Sequence, residues 1–202
     1  MSVVGAISLL HIGKLVASNR QSLCLIRTLA PDHAIVRASL PVSGGSSVTL
    51  GLRNGMAIAA RVEGVQSERI MLTFPHRLAM ERLVEEQARG RSGPESVRLT
   101  VAGKVSVETD RRTMITTLRD LSLFGLQLND PTCVLVPNTP AIVHIAGLAR
   151  RQANVRWHRD GRSGLRFAYS LGYELLDGWI ATQRFEQGSP RFAQKSESSK
   201  LG

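Results

Sequence analysis

Apolar and polar residues alternate along much of this chain with the period of two that marks strands buried on one face. In the first half the alternating runs are His11–Ala17, Leu23–Leu29, Ala34–Ala38, Ser47–Leu52, Ala57–Val65 and Arg69–Phe74. The stretch Pro41 to Ser47, rich in Gly and Ser, interrupts them as a surface loop. From Pro75 to about Gly90 the period changes, and Leu78, Leu83 and Val84 fall on or near one side of an amphipathic helix. In the second half the runs are Val97–Thr109, Thr113–Arg119, Leu126–Asn129, Ala141–Ile145, Ala149–Trp157 and Gly164–Tyr169. A closing helix is predicted over Gly172–Phe185, with Leu175, Leu176, Trp179 and Ile180 as its apolar stripe and Trp179 capping the core.

The two halves repeat one another. A shift of 92 positions lays Ile26-Arg27-Thr28-Leu29-Ala30 on Leu118-Arg119-Asp120-Leu121-Ser122, and Ala34 and Val36 on Leu126 and Leu128. One further residue of shift puts Val48-Thr49-Leu50 on Ala141-Ile142-Val143, Val62 on Val155 and Phe74 on Phe167. The implied fold class is mainly β: two tandem six-stranded β-barrels, each followed by an α-helix and each near the size one core supports. Gly90-Arg91-Ser92-Gly93-Pro94 reads as a linker. It divides the chain into 1–90, 91–185 and a tail, 186–202, whose Gly, Ser, Gln and Lys content predicts disorder.

Within this pattern Leu118 to Leu128 stands out. Between its strand-like ends sits Asp120-Leu121-Ser122-Leu123-Phe124-Gly125, with turn formers at both ends. Asp and Ser side chains bond backbone amides in turns, and Gly tolerates positive φ. Asp120 and Ser122 are therefore expected at a strand–turn–strand junction with polar atoms facing outward, and an ordinary hairpin would use the same residues. The Asp-x-Ser-x-x-Gly pattern resembles the signature of the PilZ family, the bacterial receptors for cyclic di-GMP (c-di-GMP). A second resemblance lies downstream, where Val155-Arg156-Trp157, a polar turn through Gly161, and Gly164-Leu165-Arg166-Phe167 are similar to the paired strands near the end of a PilZ barrel. Together the two motifs cover roughly Val97 to Arg184 and identify the second copy as PilZ-like.

The resemblance implies a further element, R-x-x-x-R, ahead of the barrel, whose arginines clamp the dinucleotide. At the family's spacing it belongs between about Arg89 and Arg98. Four residues on from Arg89 is Gly93, and four on from Arg91 is Glu95, so the pattern is not met and a carboxylate stands where the second arginine belongs. The resemblance then implies a c-di-GMP site of Arg89, Arg91, Arg98, Asp120, Ser122 and Gly125. The ligand has two guanines and two phosphates, and an arginine fork suits both guanine N7/O6 and phosphate oxygens. The first copy reads Thr28-Leu29-Ala30-Pro31-Asp32-His33 in the same register and lacks the Asp, Ser and Gly. It is expected to be a degenerate PilZ-like barrel that packs or recruits without binding nucleotide.

Composition narrows the remaining classes. Apolar residues make up 43% of the 202 and aromatics only 4%, so both cores must rest on aliphatic side chains. No apolar run approaches the roughly 18 residues of a membrane span, and Met1–Leu10 lacks the basic start and cleavage site of a signal peptide. Cys24 and Cys133 form no motif, which fits reduced thiols and a cytoplasmic location. The net charge is +10, and 22 of the 26 basic residues are arginine, as binding or GC-rich coding would each produce. The charge is spread along the chain with no basic tail, which weighs against DNA, RNA or a membrane surface as partner. Too few aromatics are present for a base-stacking small barrel. The five histidines, at 11, 33, 76, 144 and 158, show no metal-ligand spacing, and no C-x-x-C or G-x-S-x-G occurs. Neither an enzyme nor a bound metal or cofactor is expected.

The sequence thus points to a non-enzymatic tandem protein whose second barrel binds c-di-GMP and passes the signal to a protein partner. In that reading, ligand orders the linker against the Asp120–Gly125 turn and alters the angle between barrels. The other reading is a nucleotide-independent adaptor that uses both barrels for protein contacts.

Overall fold

A computed structural model describes residues 7–18, 20–81 and 96–183. The first half carries β1 (Ile7–Ala17), β2 (Arg20–Leu29), β3 (His33–Ala38), β4 (Ser47–Gly51), β5 (Ala57–Gln66) and β6 (Arg69–Thr73). The second carries β7 (Leu99–Glu108), β8 (Thr113–Ser122), β9 (Gly125–Asn129), β10 (Pro140–Ile145), β11 (Arg151–Arg159) and β12 (Arg162–Phe167), followed by helix α1 (Tyr173–Thr182). Each set closes into an antiparallel six-stranded barrel, in the orders β1-β2-β3-β6-β5-β4 and β7-β8-β9-β12-β11-β10. Closure leaves no open sheet edge and puts one face of every strand inside. Met80 and Glu81 are helical; the rest of the helix expected there, the expected linker and the expected tail all lie outside the described residues.

The repeat extends to the irregularities. In the first barrel the ladder slips between Ser8 and His11, Ile26 and Thr28, and Val62 and Gly64. In the second it slips between Thr100 and Gly103, Leu118 and Asp120, and Val155 and Trp157. Each bulge lies 92 or 93 residues from its counterpart. A bulge bends and twists a strand, so the matched set gives both barrels the same corners.

Two aliphatic cores follow from the alternation. Leu15, Leu50 and Leu72 are fully buried in the first, and Leu121, Leu126 and Leu128 in the second; each such side chain contributes about 1.5–3 kcal/mol. Trp179 of α1 closes the second core and donates from Nε1 to the Ala146 carbonyl at 2.9 Å, as expected of a capping tryptophan.

The barrels dock through β1 and β2 of the first. Leu23 of β2 packs into the core of the second barrel rather than its own. Its N–H donates to Asp177 Oδ1 of α1 at 2.9 Å, while Ser39 Oγ donates to Asp177 Oδ2 at 2.5 Å. Gln21 bonds both the carbonyl and the N–H of Thr100. Lys14 Nζ donates to the Arg98 carbonyl at 3.0 Å. The C-terminal helix therefore caps one barrel and ties down the other.

Candidate ligand-binding site

The turn after β8 is a two-residue hairpin, with Ser122 paired to Gly125 and Leu123-Phe124 between them. Ser122 is buried, and its hydroxyl points into the turn rather than outward: Oγ donates to the Gly125 carbonyl at 3.0 Å and accepts the Phe124 N–H at 3.3 Å. The polar-outward expectation holds only in part, because a hydroxyl that can satisfy two turn groups is worth more inside the turn than in water. Gly125 differs from expectation as well. It is absent from the positive-φ residues. What it supplies is space, since a Cβ there would lie 2.1 Å from the Leu165 carbonyl oxygen of β12. The same turn is stitched to the end of β12 and the chain beyond it by Phe167 N–H to Phe124 O at 2.8 Å and Leu171 N–H to Leu123 O at 2.7 Å.

Asp120 sits just past the β8 bulge with its side chain 19% exposed, and it accepts a 2.5 Å charge-assisted bond from Arg98 Nη1. Of the three arginines expected at the site, Arg98 is thus brought to Asp120, while Arg89 and Arg91 lie outside the described residues. Arg98 has five N–H donors in a fixed fork. Asp120 engages one end of that fork and sets its orientation, leaving donors for a ligand.

Strand pairing extends the site across the barrel. Asp120 pairs with Gln127, Gln127 with Gly164, and Gly164 with Trp157, so these four lie in one row on the outer face of β8-β9-β12-β11. Trp157 lies over the bare backbone of Gly164, where a Cβ would come within 2.2 Å of the indole Nε1. Trp157 is 37% exposed, and its indole is displaced one strand toward Asp120. With strands about 4.8 Å apart, its ring stands roughly 10 Å from the aspartate. Arg166 and Asn154 pair in the adjoining row on one side, and Arg162 and Arg159 in the adjoining row on the other. An exposed flat ring with arginines in the rows beside it, on the same barrel face as an aspartate that orients a guanidinium, suits a planar, multiply anionic ligand.

The equivalent row of the first barrel is Thr28, Ile35, Met71 and Gly64. It has no carboxylate and no aromatic ring, and the bulky partner has moved from the β5 position to β6.

Sequence reasoning did not place Trp157 or Lys14 at the site. The V-x-W motif held the first signal, as did the glycine it needs opposite. Lys14 gave none: it is 84 residues from Arg98 and reaches the site only because the barrels dock. Burial lowers its proton affinity and the Asp120 charge raises it, with a net lowering. Among the described residues no cluster of metal-ligating side chains occurs, and no helix is long and apolar enough to cross a membrane.

No family model matches the chain, and no curated protein does. Among solved structures, the chain is similar to the Borreliella burgdorferi PlzA protein in complex with c-di-GMP, at 9% identity over 86% of this chain and 88% of that one, with a TM-score of 0.37. It is also similar to the Bacillus subtilis inhibitor of motility, MotI (11% identity, 87% and 96% coverage, TM-score 0.36), and to Escherichia coli YcgR in complex with c-di-GMP (12% identity, 85% and 83%, TM-score 0.34).

Proposed function

We propose that this chain is a PilZ-type receptor for c-di-GMP, that its second barrel holds the ligand on the outer face from Asp120 to Trp157, and that it relays the signal to a protein partner without catalysis. The observation that carries this reading is the Arg98–Asp120 pair in one row with an open tryptophan. Arg98 would meet a guanine Hoogsteen edge or a phosphate, the indole would stack on a purine, and Arg162 and Arg166 would neutralise charge. Ser122 and Gly125 act through geometry: the first braces the turn that presents Asp120, and the second lets that turn approach β12.

Residues shared between the barrels support the relay. Arg98 and Thr100 hold the first barrel through their backbones, while the Arg98 side chain and the Thr100 pairing partner, Asp120, form the site. A ligand that draws the Arg98 fork away from Asp120 disturbs the strand to which the first barrel is bonded. The proposed domain boundaries are 1–90 and 91–185.

Calorimetric titration with c-di-GMP tests the reading. Asp120→Ala is expected to weaken binding roughly ten- to a hundred-fold, the cost of one charge-assisted contact, while Thr28→Ala, at the matching place in the first barrel, changes nothing. Glu95→Arg should tighten binding about tenfold by removing a repulsion and adding a fork. Absence of binding by both the wild type and Glu95→Arg would leave the adaptor reading in its place.

A further inference from the structure

The arginine clamp that the family resemblance implies is short of one cation, because Glu95 stands at its second place. A different cation is already at the site. Lys14 Nζ donates to the Arg98 carbonyl at 3.0 Å, and it lies close enough to Asp120 for that charge to act on it. Its position is also built. The Lys14 stem runs over Gly51 of β4, its cross-strand partner, and a Cβ on Gly51 would lie 2.8 Å from Lys14 Cγ and 3.1 Å from Cε. The missing side chain at 51 leaves the track that directs the ammonium toward Arg98. An ammonium has three donors, and the Arg98 carbonyl accepts from one.

We infer that Lys14, a residue of the first barrel, supplies the second cation of the ligand clamp and binds a phosphate of the cyclic dinucleotide beside Arg98. The inference rests on the receptor reading above and deepens it: the site is shared between barrels, and the copy without the signature contributes to binding. It also gives the ligand a direct hold on both barrels. Because Lys14 projects from β1 and Arg98 immediately precedes β7, one phosphate held by both fixes those strands relative to each other.

The test is titration of the full chain with c-di-GMP at low and at moderate salt. Lys14→Met keeps the stem over Gly51 and removes the charge; it should weaken binding roughly ten- to a hundred-fold and make it less sensitive to salt. Lys14→Arg should bind within about threefold of the wild type, and Gly51→Ala, which retains the lysine but displaces its stem, should weaken binding. Ser39→Ala removes a barrel–barrel bond away from the site and should leave affinity unchanged. Should Lys14→Met melt without a cooperative transition, Lys14→Gln takes its place. Wild-type affinity in the charge-removing variant overturns the inference and leaves the receptor reading standing. Equal losses in Lys14→Met and Ser39→Ala also overturn it, since Lys14 would then act only as a staple between barrels. A wild type that does not bind overturns both readings.

Discussion

At the scale of single residues, the glycines of the second barrel are read best as places where something else must fit. Gly125 admits the Leu165 carbonyl, and Gly164 admits the Trp157 indole. Gly64, in the first barrel at the position of Trp157, has nothing within 4 Å of its would-be Cβ. The three sites make a controlled comparison. Gly125→Ala must push β8-β9 away from β12 and is expected to cost about 1–3 kcal/mol, as overpacked cores do, whereas Gly64→Ala should stay within about 0.5 kcal/mol. Urea unfolding of the two variants decides it, and equal stabilities would show that the turn can move aside freely. The Asp-x-Ser-x-x-Gly pattern is legible in the sequence. The turn-bonding role of its Ser is legible too, since the Phe124 amide lies two residues on, but the reason for its Gly is not, because it lies in the Leu165 carbonyl that only the folded barrel brings close.

At the scale of elements, the repeat supplies its own control for a buried polar network. Asp130, after β9, is fully buried. It accepts from the backbone N–H of Val134 at 2.9 Å and of Leu135 at 3.0 Å, and from Ser163 Oγ at 2.8 Å, with His158 Nδ1 3.2 Å away. The strand pairing places Ala38, Ile70 and Val65 at the corresponding positions of the first barrel. The fold therefore closes without a carboxylate there, and the network serves the loop after β9. Burial raises the proton affinity of Asp130, but the two amides, Ser163 and the charge of His158 outweigh it and hold the carboxyl below its ordinary range. Such a group binds more protons unfolded than folded. Its stabilisation is present above the unfolded value of about 3.9 and is lost as pH falls from there toward the folded value. Wild-type stability should thus fall more steeply between about pH 5 and pH 3 than that of Asp130→Asn. Parallel acid limbs in chemical denaturation would show that Asp130 is not the group responsible.

At the scale of the molecule, the two barrels behave as one body to the extent that Asp177 holds them. Its two oxygens take the Leu23 N–H and the Ser39 hydroxyl, and Asp177→Ala leaves a buried donor without an acceptor. An unsatisfied buried donor costs about 1–3 kcal/mol, and each kcal/mol lowers Tm roughly 2–4 °C in a chain of this length. The variant is expected to melt several degrees lower and to scatter X-rays with a larger radius of gyration, as the first barrel moves away from the second. An unchanged radius would show that Leu23 and Gln21 suffice for docking.

What the sequence determined by itself is local in origin. Period-two alternation places twelve strands because each strand needs only its own residues to show a buried face, and the 92–93-residue shift announces two copies because both obey the same bulged template. The closing helix and its Trp179 cap were legible for the same reason. Tertiary structure alone decided what depends on pairing register and docking. The β8-β9-β12-β11 register puts Asp120 and Trp157 in one row although 37 positions separate them. Docking sends Leu23 into the other barrel's core and carries Lys14 to Arg98. No local pattern encodes these meetings, because their energy comes from surfaces that exist only once both barrels have closed.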